Sequence, residues 1–387
     1  MRRPRTIIAG LGLAAMAVGG VTAVSAGGSP ASSAPSASTA AATARTAPAA
    51  VGRSTGAILV KAQAAAASTP GSLDPAFGNG GKVLSPGGGA TDAILQSNGD
   101  IVVSTGSGVA RFLPTGQLDA TFGSGGLASA GFVGGEGLQG VALQPDGKII
   151  WVGSQNTPGF PAFGTFSFAL ARFNANGTLD TSFGAGGTVL SSSLPNGITA
   201  LGLDAAGNIF TLPVRAEFSS TGQADAGVTP APITASSRGG SSAFLPSGQF
   251  VQATGVTVAK HDVDVQVQRF NADGSLASAS PAFDYSGAAG LDQAIDGAGA
   301  VAVQANGQAV AGGAHFLSTS PFGLARVNPD GTLDTGFGSG GVLTTTFNGN
   351  EAVEAVLTQP DGKIIAAGFS EDNTTGQSFI ALARYNP

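Results

Sequence analysis

Cysteine is absent from the 387 residues of this chain, and charged residues make up only 10% of it. The lack of cysteine excludes disulfide bonds, thiolate metal sites and thiol nucleophiles. The Ala-Glu-Lys-Leu periodicity of amphipathic helices is also missing. Stability must therefore come from the packing of apolar side chains, and a helical fold is not expected.

Glycine, a residue that favours turns, occurs 62 times, and 42% of the residues are apolar. Phenylalanine, with 22 copies, far outnumbers tyrosine and tryptophan. This mixture is typical of short strands joined by tight turns. The sequence predicts an all-β fold with enough apolar residues to build a core.

Charge is distributed unevenly along the chain. All 23 acidic residues follow position 70, whereas six of the 17 basic residues precede it, so the later region carries eleven basic residues against 23 acidic ones. Such an acidic body repels phosphate backbones but tolerates cations and basic partners. We therefore expect no nucleic-acid binding.

The first 70 residues have the composition of an export signal followed by a linker. Residues 1–26 combine arginines at the start, an apolar stretch and a small-residue end at Val24-Ser25-Ala26, which predicts a signal peptide. The alternative is an uncleaved membrane anchor. Residues 27–70 are rich in Ala, Ser, Thr and Pro and are predicted to be a disordered linker. We expect a secreted, monomeric protein with cell-surface association and no transmembrane anchor in its mature form; the export route, general or twin-arginine, stays open.

A hairpin phrase recurs six times after this linker, as in "LQPDGKIIWVG" from Leu143 and "TQPDGKIIAAG" from Thr358. Each copy has two apolar runs on either side of a turn with glycine. A glycine at this position supplies the positive φ that a short hairpin turn requires. The six glycines predicted to have this structural role are Gly99, Gly147, Gly207, Gly248, Gly307 and Gly362.

A second phrase follows the hairpins, most clearly as "FALARFNANGTLDTSFGAGG" from Phe168. Together the two phrases predict about four strands in roughly 50 residues, the pattern of a β-propeller blade. The chain ends inside the second phrase with "FIALARYNP", and its missing remainder, "GSLDPAFGNGG", opens the region at Gly71. We expect residues 71–387 to form about six four-stranded blades, the last one closed by the N- and C-terminal segments. The alternative is a solenoid of β-arches.

The motifs "QPDGKII", "LARYN" and "DGTLDTGFG" resemble the delta-60 repeat family, whose tandem units occur in secreted and surface-associated bacterial proteins. The resemblance covers nearly everything from Gly71 to Pro387, with specific motifs in three units. It implies a propeller-like fold and no defined reaction. The sequences "TGQADAGVTPAPITASSRGG" and "GSLASASPAFDYSGAAG" depart furthest from the pattern.

Charged residues recur at a fixed spacing within the repeats. Arg111, Arg172 and Arg326 each precede an aspartate by eight residues, at Asp119, Asp180 and Asp334, and joining the chain ends would bring Arg384 to Asp74. Because the spacing follows the repeat, we interpret these as structural ion pairs or as hydrogen bonds from arginine to turn carbonyls, not as active-site residues.

Few residues point to catalysis or to a cofactor. Of the two histidines, His261 lies beside Asp262 and Asp264, a pattern more typical of a solvated strand edge than of a cation site, and no metal-ligand motif is present. Glu371, Asp372 and Asn373 group three oxygen-bearing side chains and are the candidate calcium ligands. No other cofactor and no catalytic residue is predicted.

These features favour a non-catalytic binding or surface-interaction module that recognises a cell-envelope glycan or protein. The insertions at 154–166 and 216–240 are the expected binding loops. The alternative is a metal-dependent propeller hydrolase or lyase acting on an extracellular substrate.

Trp151, the only tryptophan, is expected to be buried between blades. The alternative is an exposed sugar contact.

Overall fold

The structure, a computed structural model, describes residues 68–132, 140–156, 166–191, 200–212, 217–224, 235–237, 242–245, 247–259, 262–285, 295–316 and 320–387. Residues Ala67–Pro387 form one compact unit. The proposed signal peptide and nearly all of the proposed linker lie outside the described residues. Within the described ranges every regular element is a strand, and no helix long and apolar enough to cross a membrane is present.

The strands are short because glycine-containing turns interrupt the apolar runs. The first twelve strands are β1 (Lys82–Ser85), β2 (Asp92–Leu95), β3 (Ile101–Thr105), β4 (Gly108–Phe112), β5 (Leu127–Ser129), β6 (Gly140–Leu143), β7 (Ile149–Asn156), β8 (Phe166–Phe173), β9 (Thr188–Ser191), β10 (Ala200–Leu203), β11 (Ile209–Leu212) and β12 (Glu217–Phe218). The remaining strands are β13 (Ala235–Ser237), β14 (Ser242–Phe244), β15 (Phe250–Ala259), β16 (Asp262–Phe270), β17 (Leu276–Ala279), β18 (Ile295–Val303), β19 (Ala309–Phe316), β20 (Phe322–Val327), β21 (Val342–Thr345), β22 (Asn350–Thr358), β23 (Ile364–Glu371) and β24 (Ser378–Tyr385).

Strands that follow one another in the chain pair antiparallel in most sheets. Sheet I is β2-β3-β4-β5 and sheet II is β6-β7-β8-β9. Sheet III has the order β12-β11-β10-β13, so β13 pairs with β10 instead of β12. An eight-stranded sheet holds β14–β17, here sheet IV, and β18–β21, here sheet V, joined by the single parallel pair Val263↔Ile295. The sequence thus predicted the all-β class and its four-stranded units.

Sheet VI combines the first and the last strands, in the order β1-β24-β23-β22. Strand β1 pairs antiparallel with β24 from Lys82↔Ala383 to Ser85↔Ile380. The backbone N–H of Asp74 donates to the carbonyl of Arg384 at 2.8 Å. One sheet is therefore built from both ends of the repeat region, since the phrase at the C-terminal end lacks its last part.

The core lies between the sheets, in apolar clusters that each join two neighbours. The pairs joined in this way are II with III, I with II, VI with I, V with VI, and IV with V. Among the described residues, none of these clusters joins sheets III and IV. Both faces of most sheets are thus buried against other sheets, as alternating apolar side chains require.

Candidate functional site

The six hairpin glycines all have left-handed backbone conformations. Their φ angles lie between 79° for Gly207 and 88° for Gly99. A side chain at this φ would be strained, so each glycine sets the geometry of its turn. The other four are Gly147, Gly248, Gly307 and Gly362.

Four arginines of the repeat contact the aspartates that the sequence predicts as their partners. The Nε–H groups of Arg111 and Arg172 donate to Asp119 and Asp180, each at 2.8 Å. Arg326 contacts Asp334 at 2.7 Å, and Arg384 contacts Asp74 at 2.9 Å. The guanidinium groups also stack over the rings of Phe122, Phe183, Phe337 and Phe77, with 4.4–4.8 Å to the ring centroids.

Three of these arginines also contact a turn of a neighbouring sheet. Nη1 of Arg111 donates to the carbonyl of Ala175 at 2.6 Å, and Nη1 of Arg384 donates to that of Pro114 at 2.6 Å. Arg172 contacts the carbonyl of Ser220 in the same way. Each of these arginines therefore links its own sheet to a turn of its neighbour, which is a structural role.

The carboxyl groups in these clusters are held in the charged form. Burial alone would raise the pKa of Asp74, but hydrogen bonds and the cations Lys363 and Arg384 outweigh it and lower that pKa. Burial would likewise raise the pKa of Asp180, and hydrogen bonds from Ser182 and Lys148 together with the charge of Arg172 lower it well below its usual range. Anions fixed in this way are poor proton donors or acceptors near neutral pH.

The candidate calcium ligands lie at the end of β23 and in the turn that follows it. The carboxylate of Asp372 accepts hydrogen bonds from the backbone N–H groups of Thr374 and Thr375, at 2.7 and 2.9 Å. These bonds explain Asp372 as a turn residue. Asn373 is exposed and Glu371 is partly exposed. Within the described ranges no group of three acidic or histidine side chains is arranged to hold a metal ion; His261 lies outside those ranges.

Glu351 is a buried carboxyl that the sequence reasoning missed. Its Oε1 accepts the backbone N–H groups of Phe347 and Gly349, at 3.0 and 2.6 Å, and burial raises its pKa. A buried acid with a raised pKa is a common feature of catalytic sites. Here, however, its partners are the backbone of one turn and the hydroxyl of Ser370 on β23, at 3.5 Å, so the side chain serves to join the entry of β22 to the neighbouring strand.

An apolar row crosses all four strands of sheet IV and is the candidate binding surface. It consists of Phe244, Phe250, Phe270 and Leu276, each the register partner of the next. Register partners lie on the same face of a sheet, so the four side chains are neighbours. The rings of Phe250 and Phe270 are stacked, with centroids 4.6 Å apart and planes 9° apart, and Phe244 follows at 5.6 Å.

The same row is packed against a neighbouring sheet elsewhere in the molecule. In sheet I it contains Ile101 and Phe112, both completely buried in the cluster shared with sheet VI. In sheet IV, by contrast, their counterparts Phe250 and Phe270 are partly exposed, and the outer residues Phe244 and Leu276 are 64% and 55% exposed. Among the described residues, no apolar cluster covers this face of sheet IV, whereas the cluster shared with sheet V covers the other face. Because exposed apolar patches are characteristic of interaction sites, this row is the candidate for one.

Much of the two expected binding loops, namely residues 157–165 and most of 216–240, lies outside the described ranges. The signal for the apolar row was present in the sequence as "FLPSGQF", where phenylalanine replaces the Leu and Ile of "LQPDGKI". Larger rings at core positions, next to the most divergent unit, indicate a surface that differs from its counterparts.

A family described as "Domain of unknown function (DUF5122) beta-propeller" matches three segments, at residues 144–183, 304–337 and 359–387. These segments contain the turns of sheets II, V and VI. The match supports a propeller-like repeat family for these three segments. Together with the four-stranded antiparallel sheets, this match favours a propeller over a solenoid.

Several solved structures show weak similarity. An oxidoreductase described as a glucose dehydrogenase, from Thermus thermophilus, is 12% identical, with 79% of this chain and 98% of that chain covered and a TM-score of 0.42. A thermostable family-43 glycoside hydrolase is 11% identical, with coverages of 81% and 92% and a TM-score of 0.32. An endo-arabinase from Bacteroides thetaiotaomicron is 9% identical, with coverages of 83% and 97% and a TM-score of 0.30. No curated protein matches the chain.

Proposed function

We propose that this protein is a secreted, non-catalytic β-propeller that binds a protein of the cell envelope through the apolar row of sheet IV. The exposure of that row carries the proposal, because its counterparts in the other sheets are packed. Its blades would be the six four-stranded units of the delta-60 type, with sheet VI closed by both chain ends. A metal-dependent hydrolase or lyase remains the second candidate, for which the described residues supply no favourable cluster.

The geometry of the row favours a protein over a glycan as the partner. The faces of Phe250 and Phe270 are turned toward each other, so their edges form an apolar ridge. A sugar ring stacks on an open aromatic face, and within the row only Phe244, at the edge strand β14, is a mostly exposed aromatic residue. A ridge of stacked rings fits an apolar groove in a partner protein, where buried aromatic side chains contribute most of the binding energy.

Replacing Phe244 by serine is expected to weaken binding to isolated cell envelopes at least about tenfold, since truncating an aromatic anchor costs about 2 kcal/mol or more. Binding of the purified protein would be measured by sedimentation with envelopes. Leu190→Ser is the matched control, because Leu190 is 55% exposed on sheet II and lies outside the row. Protease treatment of the envelopes should abolish binding.

Three results would contradict this proposal. Equal binding by the Phe244→Ser and Leu190→Ser variants would remove the row from the interface. Binding that survives protease treatment would identify a glycan instead. A loss of folding stability in Phe244→Ser as large as that of a core substitution would show that the row packs inside the protein.

Export is the second part of the proposal. The mature protein is expected to begin at Gly27, because the apolar stretch ends in the small residues Val24-Ser25-Ala26. N-terminal sequencing of the protein from the culture medium measures this directly. Recovery of a chain that starts at Met1 from the cytosol would contradict it.

A further inference from the structure

Arg269 occupies the same repeat position as Arg111, Arg172 and Arg326, but its unit lacks the aspartate. The residue eight positions later is Ala277. Arg269 therefore has the location of an arginine that holds a carboxylate, in a unit whose own sequence supplies none.

In sheet IV one of the arginine donors at this repeat position lacks an acceptor. Nη2 of Arg269 donates to the carbonyl of Gly307, whereas its buried Nε has no hydrogen-bond partner in the described part of the chain. Ser278, the register partner of Arg269 on β17, has a buried Oγ that is also without a partner there. Because register partners lie on one face, the two groups adjoin the same space. Buried donors without partners are rare and costly, which points to a ligand.

A third donor is available at the neighbouring turn. The residue after the turn glycine contacts the aspartate in other units, as Lys148 does with Asp180 at 2.9 Å and Gln308 with Asp334 at 2.8 Å. In sheet IV this position is Gln249, which is exposed. The set of donors that surrounds a carboxylate elsewhere is therefore repeated here.

The position borders solvent, although Nε of Arg269 and Oγ of Ser278 are themselves buried. Arg269 is partly exposed and Ala277 is exposed, and Ala277 lies at the register shift between the pairs of Phe270 and Arg269. The side chain at 277 is a single methyl group, where its counterparts carry a carboxylate. Burial lowers the pKa of Arg269, so a neighbouring anion would stabilise its charge.

We infer that the Arg269 site of sheet IV binds the carboxylate of a small organic acid, in the place that an aspartate fills in four other units. Arginine Nε and Nη donors match the two oxygens of a carboxylate, which gives the site its chemical preference. This site lies on the face of sheet IV opposite to the apolar row, because Arg269 and Phe270 are consecutive in one strand. It is independent of the proposed function.

The probe is acetate, compared with chloride at equal ionic strength. Acetate is expected to raise the melting temperature of the parent protein by about 2 °C relative to chloride, because a ligand that binds only the folded state stabilises it. The Ala277→Asp variant supplies the carboxylate internally. It should melt higher than the parent in chloride and should lose the acetate effect.

Ala279→Asp is the matched control, since Ala279 is exposed on the same strand but is the register partner of Gln268, on the other face. This variant should retain the acetate effect. A second measurement follows the Nε–H resonance of Arg269 by NMR, assigned by its loss in Arg269→Lys. The resonance should shift with acetate in the parent and stay fixed in Ala277→Asp.

Equal melting temperatures in acetate and chloride for the parent would overturn the inference. An acetate effect that persists in Ala277→Asp, or that disappears in Ala279→Asp as well, would also overturn it, because the anion would then act elsewhere. An Nε–H resonance of Arg269 that does not respond to acetate would place any stabilisation at another site.

Discussion

Replacing Arg384 by methionine is expected to destabilise the protein by about 3–5 kcal/mol, the range for removing one partner of a buried ion pair. Arg384 and Asp74 are 7% and 5% exposed, and Nε and Nη2 of the arginine both lie 2.9 Å from Oδ2 of the aspartate. The substitution would leave the carboxylate buried with only Lys363 as a charged partner, at 3.1 Å. It would also remove the hydrogen bond to Pro114. Chemical denaturation measures the change in unfolding free energy.

Arg269→Met is the matched control for this prediction. Arg269 has the same repeat position and makes one backbone hydrogen bond, to Gly307, without an aspartate. Its replacement is expected to cost about 1 kcal/mol, the usual contribution of a single hydrogen bond. Equal losses for Arg384→Met and Arg269→Met would show that the aspartate adds nothing, and the ion pair would not be what joins the chain ends.

Lowering the pH should remove the stabilisation that the ion pair of Arg384 and Asp74 provides. The folded-state pKa of Asp74 is lowered, so its stabilising effect is present above the unfolded value of about 3.9 and is lost as the pH falls below it through the folded pKa. The difference between the parent and Arg384→Met should therefore shrink below about pH 4. Glu351 works in the opposite direction, because its raised pKa favours the folded state once it is protonated. Its effect is common to both proteins and cancels in the difference.

The all-β class and the four-stranded units could be predicted because they depend on local signals. A glycine such as Gly147 fixes a turn by its own φ, and the apolar runs on either side can only pair as a hairpin. The contact between Arg172 and Asp180 follows from a spacing within one phrase. To predict the contact between Arg384 and Asp74, it was also necessary to infer that the two chain ends share a sheet.

The pairing of β13 and the exposure of the apolar row could not be predicted, because both depend on contacts between units. Strand β13 pairs with β10 rather than β12, a choice set by the available sheet edge. Phe250 and Phe270 have the alternation of core residues, and their burial depends on whether another sheet covers that face. A single sequence specifies which face of a strand is apolar but not how completely a distant sheet covers it.

Replacing Trp151 by alanine is expected to cost about 3–5 kcal/mol, the range for removing a large aromatic side chain from a core. Trp151 is completely buried in the cluster between sheets I and II, which confirms the burial expected from the sequence. Its Nε1–H donates to the carbonyl of Thr105 at 3.1 Å, and its ring stacks on Phe132 with 5.8 Å between centroids. Chemical denaturation gives the loss of unfolding free energy.

Fluorescence provides an independent check, since this is the only tryptophan of the chain. The emission of the folded protein should be blue-shifted and poorly quenched by iodide, because the indole has no contact with solvent. Trp151→Phe should be less destabilising than Trp151→Ala, since it retains much of the apolar contact while losing the hydrogen bond to Thr105 and part of the ring volume. Strong iodide quenching that a glycan relieves would contradict the buried position and favour a sugar-binding role.

Gly153 tests how tightly the indole is fitted. A Cβ atom at this glycine would lie 2.3 Å from Cη2 of Trp151, so the space beside the strand is occupied by the ring. Gly153→Ala should therefore destabilise the parent by about 1–3 kcal/mol, the usual cost of overpacking a core. In the Trp151→Ala background the same change should cost much less, because the atoms it would overlap are gone. Additive losses in this double-mutant cycle would mean that the two positions do not share the space, and the indole would lie elsewhere than between sheets I and II.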